Sequence, residues 1–308
     1  MLHFPKKYAI IPLYIHIHPL SQEEITMKMK LSVWSSYYVD LPIEAAVERF
    51  LQNGIYCSEL SDEHGLELLN RSEDVSATAT ALAEFLKERG FEMSQGHLWL
   101  RIRFCSDEGA MEQLYRWIDL YEGIGIRNMV LHCDNLIGTT LSRREKIERN
   151  IAALRLLAEY VKDKDLTICL ENLRPHSPED ADRIDRSAED LLYLIDRVGS
   201  DKLGICLDTG HLNLTDRNPR EFILRAGSKL KALHIADNDG TRDQHLMPFN
   251  RGTVPFPEVV QALREVGYEG LFNLEIGGER KIPLELRDAK LAYIRACYEH
   301  LMRGSLAK

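Results

Sequence analysis

Eight short β-rich runs recur along the chain, each followed by a helix-like segment, and this alternation is the strongest constraint on what the chain can fold into. The runs are KLSVWSS (30–36), IYCSEL (55–60), FEMSQGHL (91–98), RNMVLHC (127–133), LTICLEN (166–172), LGICLD (203–208), LKALHIAD (230–237) and LFNLEI (271–276). Most are near-continuously apolar, the signature of parallel strands covered on both faces. The segments between them carry helix punctuation. PIEAAVERFLQNG has Pro42 at its start and Gly54 at its end. SRREKIERNIAALRLLAEYVKD repeats apolar residues three and four apart. SAEDLLYLIDRVG opens on Ser-x-x-Asp and stops at Gly199. Eight βα units with no break in composition predict an α/β fold, one closed (β/α)8 TIM barrel forming a single domain over residues 29–308. An open doubly wound sheet would want a Gly-rich phosphate turn after the first strand. Here that strand is followed by SSYYVDLP, which has no glycine.

Residues 1–28 read as an N-terminal extension outside the barrel. KKYAIIPLYIHIHPL (6–20) is too short to span a bilayer, is broken by prolines and histidines, and lacks a small-residue cleavage site. His16 and His18 within it carry no assigned role. With 44% apolar residues over 308 positions, the chain can fill a large core. A net charge of −9 and the absence of a basic groove disfavour nucleic acid, and no basic amphipathic helix points to a membrane. The six cysteines are scattered and form no CxxC pair, which predicts reduced thiols and a cytoplasmic location. Homo-oligomerisation is the general expectation for such an enzyme.

The chemistry is expected where the strands end. Run 3 supplies His97, run 4 His132, run 5 Glu171, run 6 Asp208 with His211 just after it, run 7 His234, and run 8 Glu275; Asp243 and His245 follow in the seventh loop. In a barrel these ends share one face. Buried carboxylates are costly unless paired or metal-bound. Four successive strands ending in Glu, Asp, His and Glu therefore predict a divalent cation bound by Glu171, Asp208, His234 and Glu275. An oxygen-rich set of this kind suits Mn2+ first, with Mg2+, Co2+ or Zn2+ as alternatives. Arg251, in NRG, is a candidate contact for a ligand hydroxyl or phosphate, or a brace for its own loop. Trp34 and Trp99 are candidates to wall a ligand pocket, with the barrel core the more usual place for such a ring, and His64 and His176 are expected to be solvated in polar loops.

The stretches CLENL, GICLDTGHLNL, LHIADNDGTRDQHLMPFNRGTVPF and NLEI resemble the xylose isomerase-like barrel superfamily of sugar isomerases, sugar epimerases and endonuclease IV-type enzymes. The likeness extends over residues 29–303 and is clearest from 166 to 276. Similarity to its ketose epimerases implies that Glu171, Asp208, His234 and Glu275 hold one metal. It also implies that Glu171 and Glu275 move a proton through a cis-enediolate and that His211 bonds a substrate oxygen. His132, His97 and Arg251 complete the expected substrate-binding set, and the substrate is a small carbohydrate or polyol-derived ketone. A keto-inositol dehydratase type of lyase is an alternative within the same barrel.

Similarity to endonuclease IV implies instead a zinc phosphodiesterase on abasic DNA. Its additional metal ligands match His97, His132, His211, Asp243 and His245, with Asp243, His245 and His211 as a second metal set. Three stretches depart from that pattern: HCD after the fourth strand, Gly210 between Asp208 and His211, and ENLRPHSPED after the fifth strand.

Overall fold

All eight expected strands form, most of them shorter than the apolar runs. They are β1 (Lys30–Trp34), β2 (Cys57–Leu60), β3 (Glu92–His97), β4 (Asn128–Leu131), β5 (Thr167–Glu171), β6 (Leu203–Asp208), β7 (Leu230–His234) and β8 (Leu271–Leu274). This computed structural model describes residues 29–175, 180–215 and 218–304; the expected extension 1–28, and with it His16 and His18, lies outside the described residues, as does His176. The strands are parallel and ordered β7-β6-β5-β4-β3-β2-β1-β8. Ile235 joins β7 to β8: its N–H donates to Asn273 O at 2.8 Å and its carbonyl accepts from Glu275 N at 3.1 Å. The result is the expected (β/α)8 barrel.

The helices are α1 (Ile43–Gln52), α2 (Asp62–Asn70), α3 (Val75–Arg89), α4 (Ala110–Ile124), α5 (Arg143–Tyr160), α6 (Ala188–Val198), α7 (Thr209–Asn213), α8 (Pro219–Ala226), α9 (Phe256–Glu265) and α10 (Leu284–Gly304). Local signals set several of their ends. Ser142 and Glu145 cap α5 reciprocally. Gly90 (φ 62°) and Gly199 (φ 77°) close α3 and α6 in the left-handed conformation that a side chain disfavours. No helix among the described residues is long and apolar enough to cross a membrane. All six cysteines are free.

Two helices, α2 and α7, were not expected, and α2 corrects one reading. His64 is buried rather than solvated. The Ser61 hydroxyl caps α2 within the polar stretch SDEHGLELLN, so the chain coils there and turns the imidazole inward. His64 Nδ1 then meets Ser35 Oγ at 2.9 Å, and its Nε2 meets Leu41 O at 3.0 Å.

Strand alternation positions the site. Successive side chains on a strand point to opposite faces, so residues two apart share one. Val130, Cys169, Cys206 and Ala232 form a small apolar cluster of their own. A step of two toward the C-terminal end of each strand leads to His132, Glu171, Asp208 and His234. The registers Glu171↔Cys206 and Asp208↔His234 hold these residues at neighbouring heights. The intervening residues Leu170, Leu207 and Leu233 belong instead to the main core cluster, with the apolar helix positions. Leu207 is 0% exposed. Leu207→Ala is expected to lower stability by about 2–5 kcal/mol in chemical denaturation; a loss under about 1 kcal/mol would contradict this packing.

Candidate metal centre

Asp208 ends β6 and also begins α7. Its Oδ1 accepts the His211 N–H at 2.7 Å, an N-cap bond that uses one carboxylate oxygen. Asn172 fixes the same residue from β5: its Oδ1 accepts the Asp208 N–H at 2.8 Å and its Nδ2 donates to the Asp208 carbonyl at 3.0 Å. The second oxygen, Asp208 Oδ2, is buried and has no hydrogen-bond partner.

The same is true of two neighbours. His234 Nδ1 and Glu275 Oε2 are buried without partners. His234 Nδ1 lies 3.3 Å from Glu171 Oε1 and 3.4 Å from Glu275 Oε2, outside hydrogen-bond geometry. Glu171, Asp208, His234 and Glu275 each offer one ligand atom, and these four atoms lie within 4.8 Å of one another. Orphaned buried polar atoms are rare because each forfeits its solvation. Three of them converging beside Glu171, in a set of three carboxylates and one imidazole, fit a divalent cation.

His234 is prepared for such a role from behind. Its Nε2 lies 3.0 Å from Glu59 Oε1, and Glu59 is fully buried on β2. The Glu59 carboxylate therefore accepts the Nε2–H, and Nδ1 is the atom that faces the cluster. Glu59 in turn accepts from Asn273 Nδ2, and Asn273 Oδ1 accepts from Ser32 Oγ at 2.7 Å. Glu59 was missed in the sequence. Its only signal is a single charge inside CSEL, and its partner lies 175 positions away.

Glu171 collects imidazoles. His97 Nε2 approaches its Oε2 at 3.3 Å, His132 Nε2 the same oxygen at 3.0 Å, and His211 Nδ1 its Oε1 at 3.3 Å. Burial alone would raise this carboxyl, but His234 and His132 outweigh it and hold it well below the usual range. Glu275 has less compensation, and burial pushes it up to about 8 against the pull of His234 and His245. Burial drives His132 down to about 4, so it is neutral and donates through Nε2. Burial also opposes the charged form of His211, yet Asp208, Asp243 and Glu171 raise it well above the ordinary value. Its two nitrogens face acceptors, Asn172 O at 3.1 Å and Asp243 Oδ2 at 3.1 Å.

The structure thus brings Glu171, Asp208, His234 and Glu275 together, with His97, His132 and His211 around them. His97, His132 and Glu171 make a second converging set of ligand atoms. Asp243 and His245 sit further out on the β7–α9 loop. Asp243 Oδ2 pairs with His211 and its Oδ1 lies 3.4 Å from His245 Nε2. These three residues are not among the convergent ligand groups of the described chain. Arg251 is exposed. Its guanidinium charge adds a small pull to Asp239, whose carboxyl is held down chiefly by its bond from Thr241. Trp34 ends β1 with its ring stacked on His245, centroids 6.2 Å apart, and its buried Nε1 is unpartnered.

Residues 48–297 match the xylose isomerase-like TIM barrel family. The chain belongs to this family. An uncharacterised protein of Methanocaldococcus jannaschii is 33% identical over 134 residues, 42% of this chain and 44% of its own length, so the chain spans less than half of that relative. The D-psicose 3-epimerase of Enterocloster bolteae is 29% identical over 219 residues, 65% of this chain and 69% of that one. The solved D-psicose 3-epimerase with D-tagatose from Clostridium cellulolyticum H10 superposes at TM-score 0.73 and 16% identity, covering 89% of this chain and 99% of that one, a likeness of fold.

Two outcomes follow for this xylose isomerase-like barrel. Mn2+ added to chelator-treated protein is expected to raise the thermal midpoint, because a cation bound only by the folded state stabilises it; Asp208→Asn is expected to abolish the shift. Glu59→Gln is expected to weaken metal affinity about 10–100-fold in calorimetry while the protein stays folded; an unchanged affinity would remove Glu59 from this role.

Proposed function

We propose that this chain is a divalent-metal-dependent isomerase or epimerase of a small sugar or polyol-derived ketone, working by proton transfer through a cis-enediolate. The observation that carries this reading is the convergence of the unpartnered Asp208 Oδ2, His234 Nδ1 and Glu275 Oε2 beside Glu171, in a barrel whose relatives include a sugar epimerase.

Glu171, Asp208, His234 and Glu275 would hold the cation, Mn2+ first among the candidates. When bound, it supplies Lewis acidity that makes the C–H between a substrate carbonyl and a neighbouring hydroxyl removable. Glu171 and Glu275 are the proton carriers. They come from opposite flanks of the cup, one at the end of β5 and the other one residue past β8, with β6 and β7 between them. One takes the proton, and the other or the same one returns it, which decides between epimerisation and isomerisation. His211, held by Asn172 O and Asp243, is the residue that would hydrogen-bond a substrate oxygen beside the cation. Neutral His132 restrains the Glu171 carboxylate through its bond to Oε2.

A second reading rests on the additional convergent set of His97, His132 and Glu171, which suits a further metal and hence a zinc phosphodiesterase on abasic DNA. Against it stand the net charge of −9 and the mutual pairing of Asp243 with His211 and His245. Metal analysis separates the two: one Mn2+ per chain is expected, and three zinc ions with cleavage of an abasic duplex would overturn the proposal. Incubation with ketoses, inositol ketones and Mn2+ in D2O is expected to place deuterium at the carbon beside the carbonyl. Glu171→Gln and Glu275→Gln should each reduce that exchange by at least about 100-fold. Loss of water from the product would assign the lyase alternative.

A further inference from the structure

The loops after β3, β4 and β5 line an open cavity of about 390 Å³ that meets the candidate metal cup at His132. Trp99, Ile102, Leu136 and Leu173 line it, with Leu100 and Ile137 at its exposed edge, 38% and 47% accessible. Large apolar side chains left in water beside a polar cup call for an occupant.

The wall is built rigidly. Trp99 is backed by the buried Trp117, the rings stacked 6.3 Å apart at 11°. Asp134 ties the two loops together, accepting the Cys105 N–H at 3.0 Å and the Leu136 N–H at 2.9 Å. That second bond holds Leu136 at φ 48°, a backbone conformation unfavourable for leucine.

Two of the polar groups around the cavity, Arg183 and Asn135, are committed to neighbouring carboxylates. Arg183 is clamped by Asp180 at 2.7 Å and Asp185 at 2.9 Å. Asn135 donates to Asp185 at 2.8 Å and accepts the Ile184 N–H at 2.9 Å. With its charge spent on two carboxylates, Arg183 is not arranged as a phosphate receptor. Arg103 is exposed and reaches Ile137 O at 3.4 Å, where its guanidinium lies near the mouth and can meet the face of an aromatic group.

We propose that this cavity is a substrate subsite for an apolar, ring-sized substituent carried by the sugar at the end remote from its reacting carbons. The inference rests on the reading of the cup as the sugar site. The cavity volume falls in the ~300–1,000 Å³ range of pockets that enclose drug-sized ligands. The Ile102, Leu136, Ile137 and Leu173 side chains offer a bare ketose no hydrogen-bond partner. An attached aromatic or alkyl group covers Trp99, Leu136 and Ile137 and removes their surface from water.

The test compares D-fructose and D-tagatose with their 6-O-benzyl ethers, in solvent-deuterium exchange with Mn2+ and in equilibrium binding to the Mn2+-loaded protein. The benzyl ethers are expected to be preferred by about tenfold or more in kcat/KM, chiefly through KM, and in affinity. The Leu100→Ser/Ile137→Ser double variant, altered only at exposed positions, should bring that preference toward one. Equal kcat/KM for plain and benzylated ketoses, or a preference that survives the double variant, overturns the subsite. Absence of exchange into every ketose overturns the enediolate reading instead; the binding arm then judges the subsite by itself, and equal affinities overturn it.

Discussion

Negative charge buried at the C-terminal ends of β5 to β8 is the condition that the rest of the structure has to satisfy. Glu171 and Asp208 are 1% exposed and Glu275 7%. Carboxylates so placed cannot remain ionised without positive charge at close range. The chain answers on two sides. Imidazoles from β3 and α7 approach Glu171, the neutral His132 just after β4 gives it a hydrogen bond, and the remaining unpartnered atoms converge where a cation would fit. Rigidity is what makes this workable. The buried Asn172 side chain clasps the Asp208 backbone across β5 and β6, and the Asp208 carboxylate caps α7, so the candidate ligands are held by short, buried side chains bonded to the main chain.

The support continues across the barrel interior. Ser32 on β1, Asn273 on β8 and Glu59 on β2 form a hydrogen-bonded line that ends at His234 on β7. Four strands remote in sequence thereby set the proton position of one ring. The apolar cluster of Val130, Cys169, Cys206 and Ala232 lies one strand step below the ligands. Polar satisfaction on one side of the interior and small apolar residues on the other together fill the barrel.

Much of this was legible in the sequence for a physical reason. Covered parallel strands are continuous apolar runs, so a carboxylate or imidazole at the end of such a run stands out, as Glu171, Asp208, His234 and Glu275 do. Glu59 did not stand out, because a lone charge in a four-residue strand looks like a solvated face until Asn273 and His234 are brought to it. His64 was misread for a related reason. The polar letters of SDEHGLELLN suggest a loop, whereas a single serine cap starts a helix there and Ser35, contributed by a distant segment, receives the ring. Arg251 was singled out from its place in NRG, and the seventh loop carries it exposed, away from the buried cluster. Pairings made only by tertiary approach leave no local trace.

The Asp134 bonds have a consequence for how such a protein can diversify. They latch the β3–α4 and β4–α5 loops to each other, whereas the candidate ligands are carried by the strand and loop ends from β5 to β8. Asn135, next to the latch, reaches on to Asp185 and the Ile184 N–H, so the cavity wall is also tied to the loop that follows Glu171. Residues 98–109, 133–142 and 180–187 thus form one interlocked wall around Asp134 and Asn135. A barrel organised in this way reshapes its outer wall only if the three loops change together.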